Sequence, residues 1–152
     1  MTKTIALVAH DNCKPDLLEW AEFNFKALSH HCLVCTGTTG KLLEDVLTKK
    51  LRLEKRFRLT KLKSGPLGGD QQLGALVSEG KIDCLIFFWD PMQPQPHDVD
   101  VKALLRIAVA YNVPTACNRA TADFVISSPL MMDGYEPTKP DFSKYLARNV
   151  GE

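Results

Sequence analysis

The chain has 152 residues, 45% of them hydrophobic and 24% charged, with a formal net charge of +1. These are the proportions of one ordinary globular domain, and the near-neutral balance excludes bulk charge as a means of recruiting nucleic acid or an anionic membrane. The longest apolar run, Cys84–Trp89, is far too short to span a bilayer, and the polar start leads into a strand-like run without a secretory h-region, so a cytoplasmic location is expected.

Thr4–Ala9 is a short apolar run bounded by polar residues, which predicts a strand buried on both faces of a parallel sheet. The polar residues His10-Asp11-Asn12-Cys13-Lys14 follow as a loop. Pro15 suits a first helical turn, and Leu17, Leu18, Ala21, Phe25 and Leu28 then recur at helical spacing. Cys32–Cys35 predicts a second strand, which runs into Thr36-Gly37-Thr38-Thr39-Gly40 and a helix carrying Leu42, Leu43, Val46 and Leu47. The five cysteines are odd in number, scattered and set among apolar neighbours, as expected of reduced structural thiols. Cys32 and Cys35 lie three apart in a strand and so point to opposite faces, which argues against a metal site with His30 and His31.

Leu51–Leu59 alternates apolar and charged residues, predicting a strand with one wet face near a sheet edge. The basic stretch Lys49–Lys63 reads as a solvated face, since no aromatics interleave on the charged parity to stack bases. The stretch Ser64-Gly65-Pro66-Leu67-Gly68-Gly69-Asp70 cannot form a regular element; it predicts a tight turn with exposed N–H groups that delivers Asp70 to a helix start. That helix carries Leu73, Ala75, Leu76 and Val77 and closes at Gly80. Ile82–Trp89 predicts a central strand and ends in a loop stiffened by Pro91, Pro94 and Pro96. A helix capped by Asp98 follows, with Val101, Leu104, Leu105, Ala108 and Val109 expected inside. Val113–Cys117 completes the strands, Asn118-Arg119 opens a short helix, and a last helical pattern covers Phe142–Arg148.

Strands alternating with helices imply one α/β domain over residues 1–152: three layers around a mainly parallel, five-stranded, doubly wound sheet of flavodoxin-like or Rossmann-like type. In such folds ligands bind at the carboxyl ends of the strands. Each polar cluster follows a strand, so five loops are expected on one rim: His10-Asp11, Thr36–Gly40, Ser64–Asp70, Asp90 with His97–Asp100, and Asn118-Arg119. The threonine-glycine loop offers hydroxyls and amides at a helix start, either as an anion site or as simple capping. It carries neither a dinucleotide fingerprint nor a Walker loop, which favours a small phosphate over a nucleotide. Crowded carboxylates raise at least one pKa into the range of a general base, and beside a histidine and a phosphate pocket this points to proton abstraction next to a carbonyl.

The motifs VAHDNCK at Val8–Lys14, TGTTG at Thr36–Gly40, SGPLGGDQQLGALVSEGKID at Ser64–Asp83, FFWDP at Phe87–Pro91, PHDVDVKALLR at Pro96–Arg106 and ATADFVISSP at Ala120–Pro129 resemble the methylglyoxal synthase family. The resemblance runs from about Ile5 to Pro129; Leu130–Pro140 matches little of it. It implies conversion of dihydroxyacetone phosphate to methylglyoxal and inorganic phosphate, without metal or organic cofactor. It further implies Asp70 as the base taking the C3 proton, His97 as the group that polarises the substrate oxygens, and Asp100 as the carrier of a second proton. His10, Asp11 and Asp90 would shape the pocket, and Lys14, Thr36, Thr38, Thr39, Ser64 and Gly65 would hold the phosphate. Members resemble one another in being homohexamers, often inhibited by phosphate; neither nucleic acid nor a membrane is expected as a partner. Two alternatives stand beside this: a phosphate-ester isomerase sharing base and substrate class, and a non-catalytic module like the effector-binding domain of large carbamoyl phosphate synthetases.

Overall fold

The structure is a computed structural model and describes residues 1–50 and 57–148. Strands Thr4–Ala9 (β1), Cys32–Cys35 (β2), Arg58–Lys61 (β3), Cys84–Phe88 (β4) and Thr115–Ala116 (β5) form one parallel sheet in the order β3-β2-β1-β4-β5. The helices are Lys14–Phe23 (α1), Phe25–Leu28 (α2), Gly37–Lys50 (α3), Gly69–Ser78 (α4), Asp98–Ala110 (α5), Arg119–Ser127 (α6) and Ser143–Leu146 (α7). The expected doubly wound sheet is therefore present, with β3 at one edge.

Strand β1 shows why the apolar runs are continuous. Ile5 and Leu7 pack with Leu17 and Trp20 of α1, Leu43 and Leu47 of α3 and Ala122 of α6, whereas Ala6 and Val8 pack with Leu73 and Val77 of α4 and Val101 and Leu104 of α5. Successive side chains alternate between two cores, so a central strand has no wet face to mark with polar residues.

Several expectations shift. The helix after Pro15 breaks at Asn24, where α1 gives way to the short α2. The edge strand runs from Arg58 to Lys61; the first six residues of the expected Leu51–Leu59 strand lie outside the described residues. The expected Val113–Cys117 strand narrows to two residues. Asp98 is not the cap of α5: His97 occupies that position, and its carbonyl accepts from the amides of Asp100 and Val101. The Asp98 amide is already turned onto the Gln95 carbonyl, so Asp98 sits inside the first turn, where its charge still complements the helix dipole. Val109 is 76% exposed, because it falls one residue past Ala108 and so about 100° around the helix from the buried stripe of Val101, Leu104 and Ala108.

Truncating a β1 side chain that belongs to one of these cores tests the packing. Leu7→Ala is expected to cost about 2–5 kcal/mol of unfolding free energy in urea titrations, with the fold retained.

Candidate active site

The strand order reverses direction between β1 and β4, and the loops leaving these two strands open a crevice at their carboxyl ends. A cavity of about 190 Å³ occupies it. His10 and Asp11 come from the loop after β1, and Lys14 from the start of α1. Thr36, Thr38 and Thr39 come from the end of β2 and the first turn of α3, Ser64, Gly65 and Asp70 from the glycine-rich turn and α4, and His97 from the cap of α5. Ten predicted site residues thus share one wall system. Asp90, Asp100 and the Asn118-Arg119 pair do not line it.

The turn that carries Asp70 is built by close approach. Residues 65–67 form a single 3-10 turn, and Gly68 follows at φ +97°, which glycine adopts without strain. The amides of Leu67 and Gly69 both bond to the Ser64 carbonyl. A Cβ on Gly69 would lie 2.1 Å from the Lys63 carbonyl oxygen, and one on Gly65 would lie 2.7 Å from His97 Nε2. Glycine is thus the residue that lets this backbone pass under the imidazole. Two further bonds brace the turn: the Lys63 amide donates to the Gln72 side chain at 2.8 Å, and the Gly37 amide donates to the Lys63 carbonyl at 3.1 Å.

Asp70 is 3% exposed, with Oδ2 3.5 Å from His97 Nε2 and, among the described residues, no hydrogen-bond partner on that oxygen. Burial pushes its pKa above the ordinary carboxylate value; the charge of Asp100 pushes the same way, while His97 and His10 pull back. Asp100 acts from a neighbouring groove between α4 and α5 that it shares with Asp70. In the same cavity, the first turn of α3 leaves amides without intrahelical partners beside the threonine hydroxyls, and Lys14 brings a positive charge paired with Asp11. Asp11 itself is 91% exposed at its side chain, held below the usual carboxylate range by Lys14, and stands at the mouth.

The residues outside the cavity have other employment. Asp90 accepts from Asn12 Nδ2 and from the Met92 amide, both at 2.9 Å, and those bonds hold its pKa low. Asn118 caps α6 by accepting from the Thr121 amide, and Arg119 pairs with Asp16 and Glu19 of α1, away from the rim. Sequence reading missed Phe87, whose ring meets His10 edge-on at 5.1 Å, and Gln95, fixed between two prolines at the cavity wall. The first hides inside an apolar strand, and nothing marks the second except its flanking prolines.

A model of the MGS-like domain family matches residues 16–117. The chain is 58% identical to the methylglyoxal synthase of Maridesulfovibrio salexigens over 153 aligned positions, covering 97% of this chain and 98% of that protein. The chain belongs to the methylglyoxal synthase family. It is also 55% identical to the family member of Cellvibrio japonicus, over 97% of this chain and 91% of that one. The crystal structure of methylglyoxal synthase from Elizabethkingia anophelis superposes with a TM-score of 0.86 at 51% identity, covering 99% of this chain and 94% of that one. Family likeness thus extends past Pro129, where the motif-by-motif resemblance ended. Among the described residues, no helix is long and apolar enough to cross a membrane.

The raised pKa of Asp70 makes a prediction about stability. A carboxyl whose folded pKa exceeds its unfolded value favours folding at low pH and loses that contribution as pH rises through the folded value. Asp70→Asn removes the buried charge, so the variant is expected to melt above the wild type at neutral pH. The gap should close as pH falls towards the ordinary carboxylate value of 3.8, as calorimetric melts across that range will read.

Proposed function

We propose that the chain is a cytoplasmic carbon–oxygen lyase that converts dihydroxyacetone phosphate to methylglyoxal and inorganic phosphate. The observation that carries the reading is a buried, proton-hungry carboxylate beside an imidazole in a small cavity that a helix start, threonine hydroxyls and Lys14 also line. Family membership supports the same reading, and the volume suits a three-carbon phosphate better than a nucleotide.

Asp70 takes the C3 proton, and the electron pair of that C–H bond forms the C2–C3 double bond as the carbonyl oxygen gains charge. His97 donates to the developing enediolate, and Asp100, which shares the groove beside Asp70, moves a second proton. The enediolate then collapses: the C3 oxygen gives up its proton and forms the aldehyde C–O double bond, the C2–C3 π electrons move to C1–C2, the C1–O bond breaks and phosphate departs with that electron pair. Protonation of C1 converts the resulting enol to the methyl ketone. His10, Asp11 and Asp90 shape the catalytic pocket.

Expulsion requires the C1–O bond to stand perpendicular to the enediolate plane, aligned with its π electrons; an isomerase has to hold that bond in the plane. Lys14, Thr36, Thr38, Thr39, Ser64 and Gly65 therefore set a torsion as well as an affinity. By the same family resemblance the chain assembles as a homohexamer and responds to phosphate.

Incubation with dihydroxyacetone phosphate is expected to release inorganic phosphate together with a trappable dicarbonyl. Formation of glyceraldehyde 3-phosphate instead identifies an isomerase, and no turnover leaves the binding module. Asp70→Asn is expected to lower kcat by roughly 10²–10⁴-fold while still binding phosphoglycolate, which mimics the enediolate. Near wild-type turnover in that variant removes Asp70 as the base.

A further inference from the structure

His10 is 5% exposed and is the one cavity histidine whose ring nitrogen is met by a backbone donor: the Asp90 amide points at Nδ1 from 3.1 Å. A neutral imidazole carries one proton, and a nitrogen that accepts a hydrogen bond is the bare one. The contact therefore leaves the proton on Nε2. That atom is buried, has no partner among the described residues, and belongs to a ring that lines the cavity edge-on to His97 at 5.9 Å.

The Asp90 amide is itself positioned from elsewhere. The Asp90 carboxylate spans two bonds, one oxygen taking the Met92 amide and the other taking Asn12 Nδ2, each at 2.9 Å. Asn12 lies in the 3-10 turn after β1 and Asp90 lies after β4, so its side chain ties the two loops across the switch point; the His10 amide, bonded to the Phe88 carbonyl at 3.2 Å, makes a second tie. Nothing in the sequence motifs singled out Asn12.

We propose that Asn12 is a positioning residue for the reaction, holding the loop of Asp90 so that its amide locks His10 as the neutral Nε2–H tautomer, a fixed hydrogen-bond donor to the substrate oxygens. This rests on the function proposed above. A neutral donor suits the task, because it stabilises developing negative charge without having to give up its proton to a neighbouring base. Burial and the nearby His97 lower the pKa of His10, and the opposing pull of Asp70 and Asp90 does not reverse this. Without the Asn12 amide, the Asp90 carboxylate keeps only bonds from its own loop, to the Met92 and Gln93 amides; its tie to the loop after β1 is lost, and the imidazole can adopt either tautomer.

The test reads tautomer and turnover separately. In the full chain with ¹⁵N-labelled histidine, long-range ¹H–¹⁵N spectra, assigned with His10→Gln, are expected to show a single Nε2–H form for wild-type His10. Asn12 is exposed, so its replacement leaves both cores intact. Asn12→Ala and, independently, Asn12→Ser are expected to give a mixed or altered tautomer signature and a roughly ten- to hundredfold lower kcat on dihydroxyacetone phosphate, with KM changed by less than about threefold. Asn12→Gln, which keeps an amide donor, is expected to restore much of both. A retained Nε2–H signature in the Ala and Ser variants overturns the proposal, whether or not kcat falls. If the wild type releases no phosphate from dihydroxyacetone phosphate, the proposed function fails, and the tautomer spectra still decide the link between Asn12 and His10.

Discussion

A carboxylate buried with one unpartnered oxygen beside a single imidazole is the constraint to which the neighbouring structure answers. Water would hydrate Asp70 and return its affinity for protons to the ordinary range; seclusion keeps that affinity high. Seclusion in turn requires backbone to come close, and backbone comes close only where side chains are missing. The contacts open to Gly65 and Gly69 follow from that, as do the braces from Gln72 and from the first turn of α3. Such a carboxylate costs stability that the two cores must offset, a common arrangement where activity needs a poorly solvated group.

The sheet supplies the platform. Because β1 and β4 are adjacent while their following helices pack on opposite faces, the chain diverges at their carboxyl ends and leaves a space that no side chain of the core fills. Histidines from both sides of that divergence meet there, His10 from β1 and His97 from α5. Coming from separate crossovers, the two rings still share one support: the loop after β4 supplies the Asp90 amide that meets His10 and ends at His97 itself.

Much of this was legible in the sequence because it depends on local rules. Thr4–Ala9 is read at its true bounds, since a strand buried twice over has to be apolar throughout. The turn at residues 64–69 is read because glycine and proline leave few alternatives. What failed was decided by tertiary geometry. Val109 looks like its neighbours in composition and differs only in the angle at which it leaves α5. Arg119 follows a strand like the site residues do, but the acidic side chains of α1 claim it. Asp90 and Asp100 fall in motifs beside the site, and no spacing rule tells a carboxylate in the cavity wall from one standing just behind it. Phe87 and Gln95 reach the cavity through strand register and a proline-fixed loop, neither of which has a residue-type signature.

One consequence follows from the phosphate-side residues and the base sharing a single short turn. Ser64 and Asp70 are separated by one 3-10 turn, Gly68 and the first residue of α4, a stretch with almost no freedom to lengthen. Under the proposed reading that stretch is a ruler: it fixes the span between the anchored anion and the carbon that loses its proton. A longer sugar phosphate presents a different carbon at the mark, and a shorter one presents none. Selection among phosphate esters then comes from distance along the chain of the ligand, with no contact needed to recognise its far end.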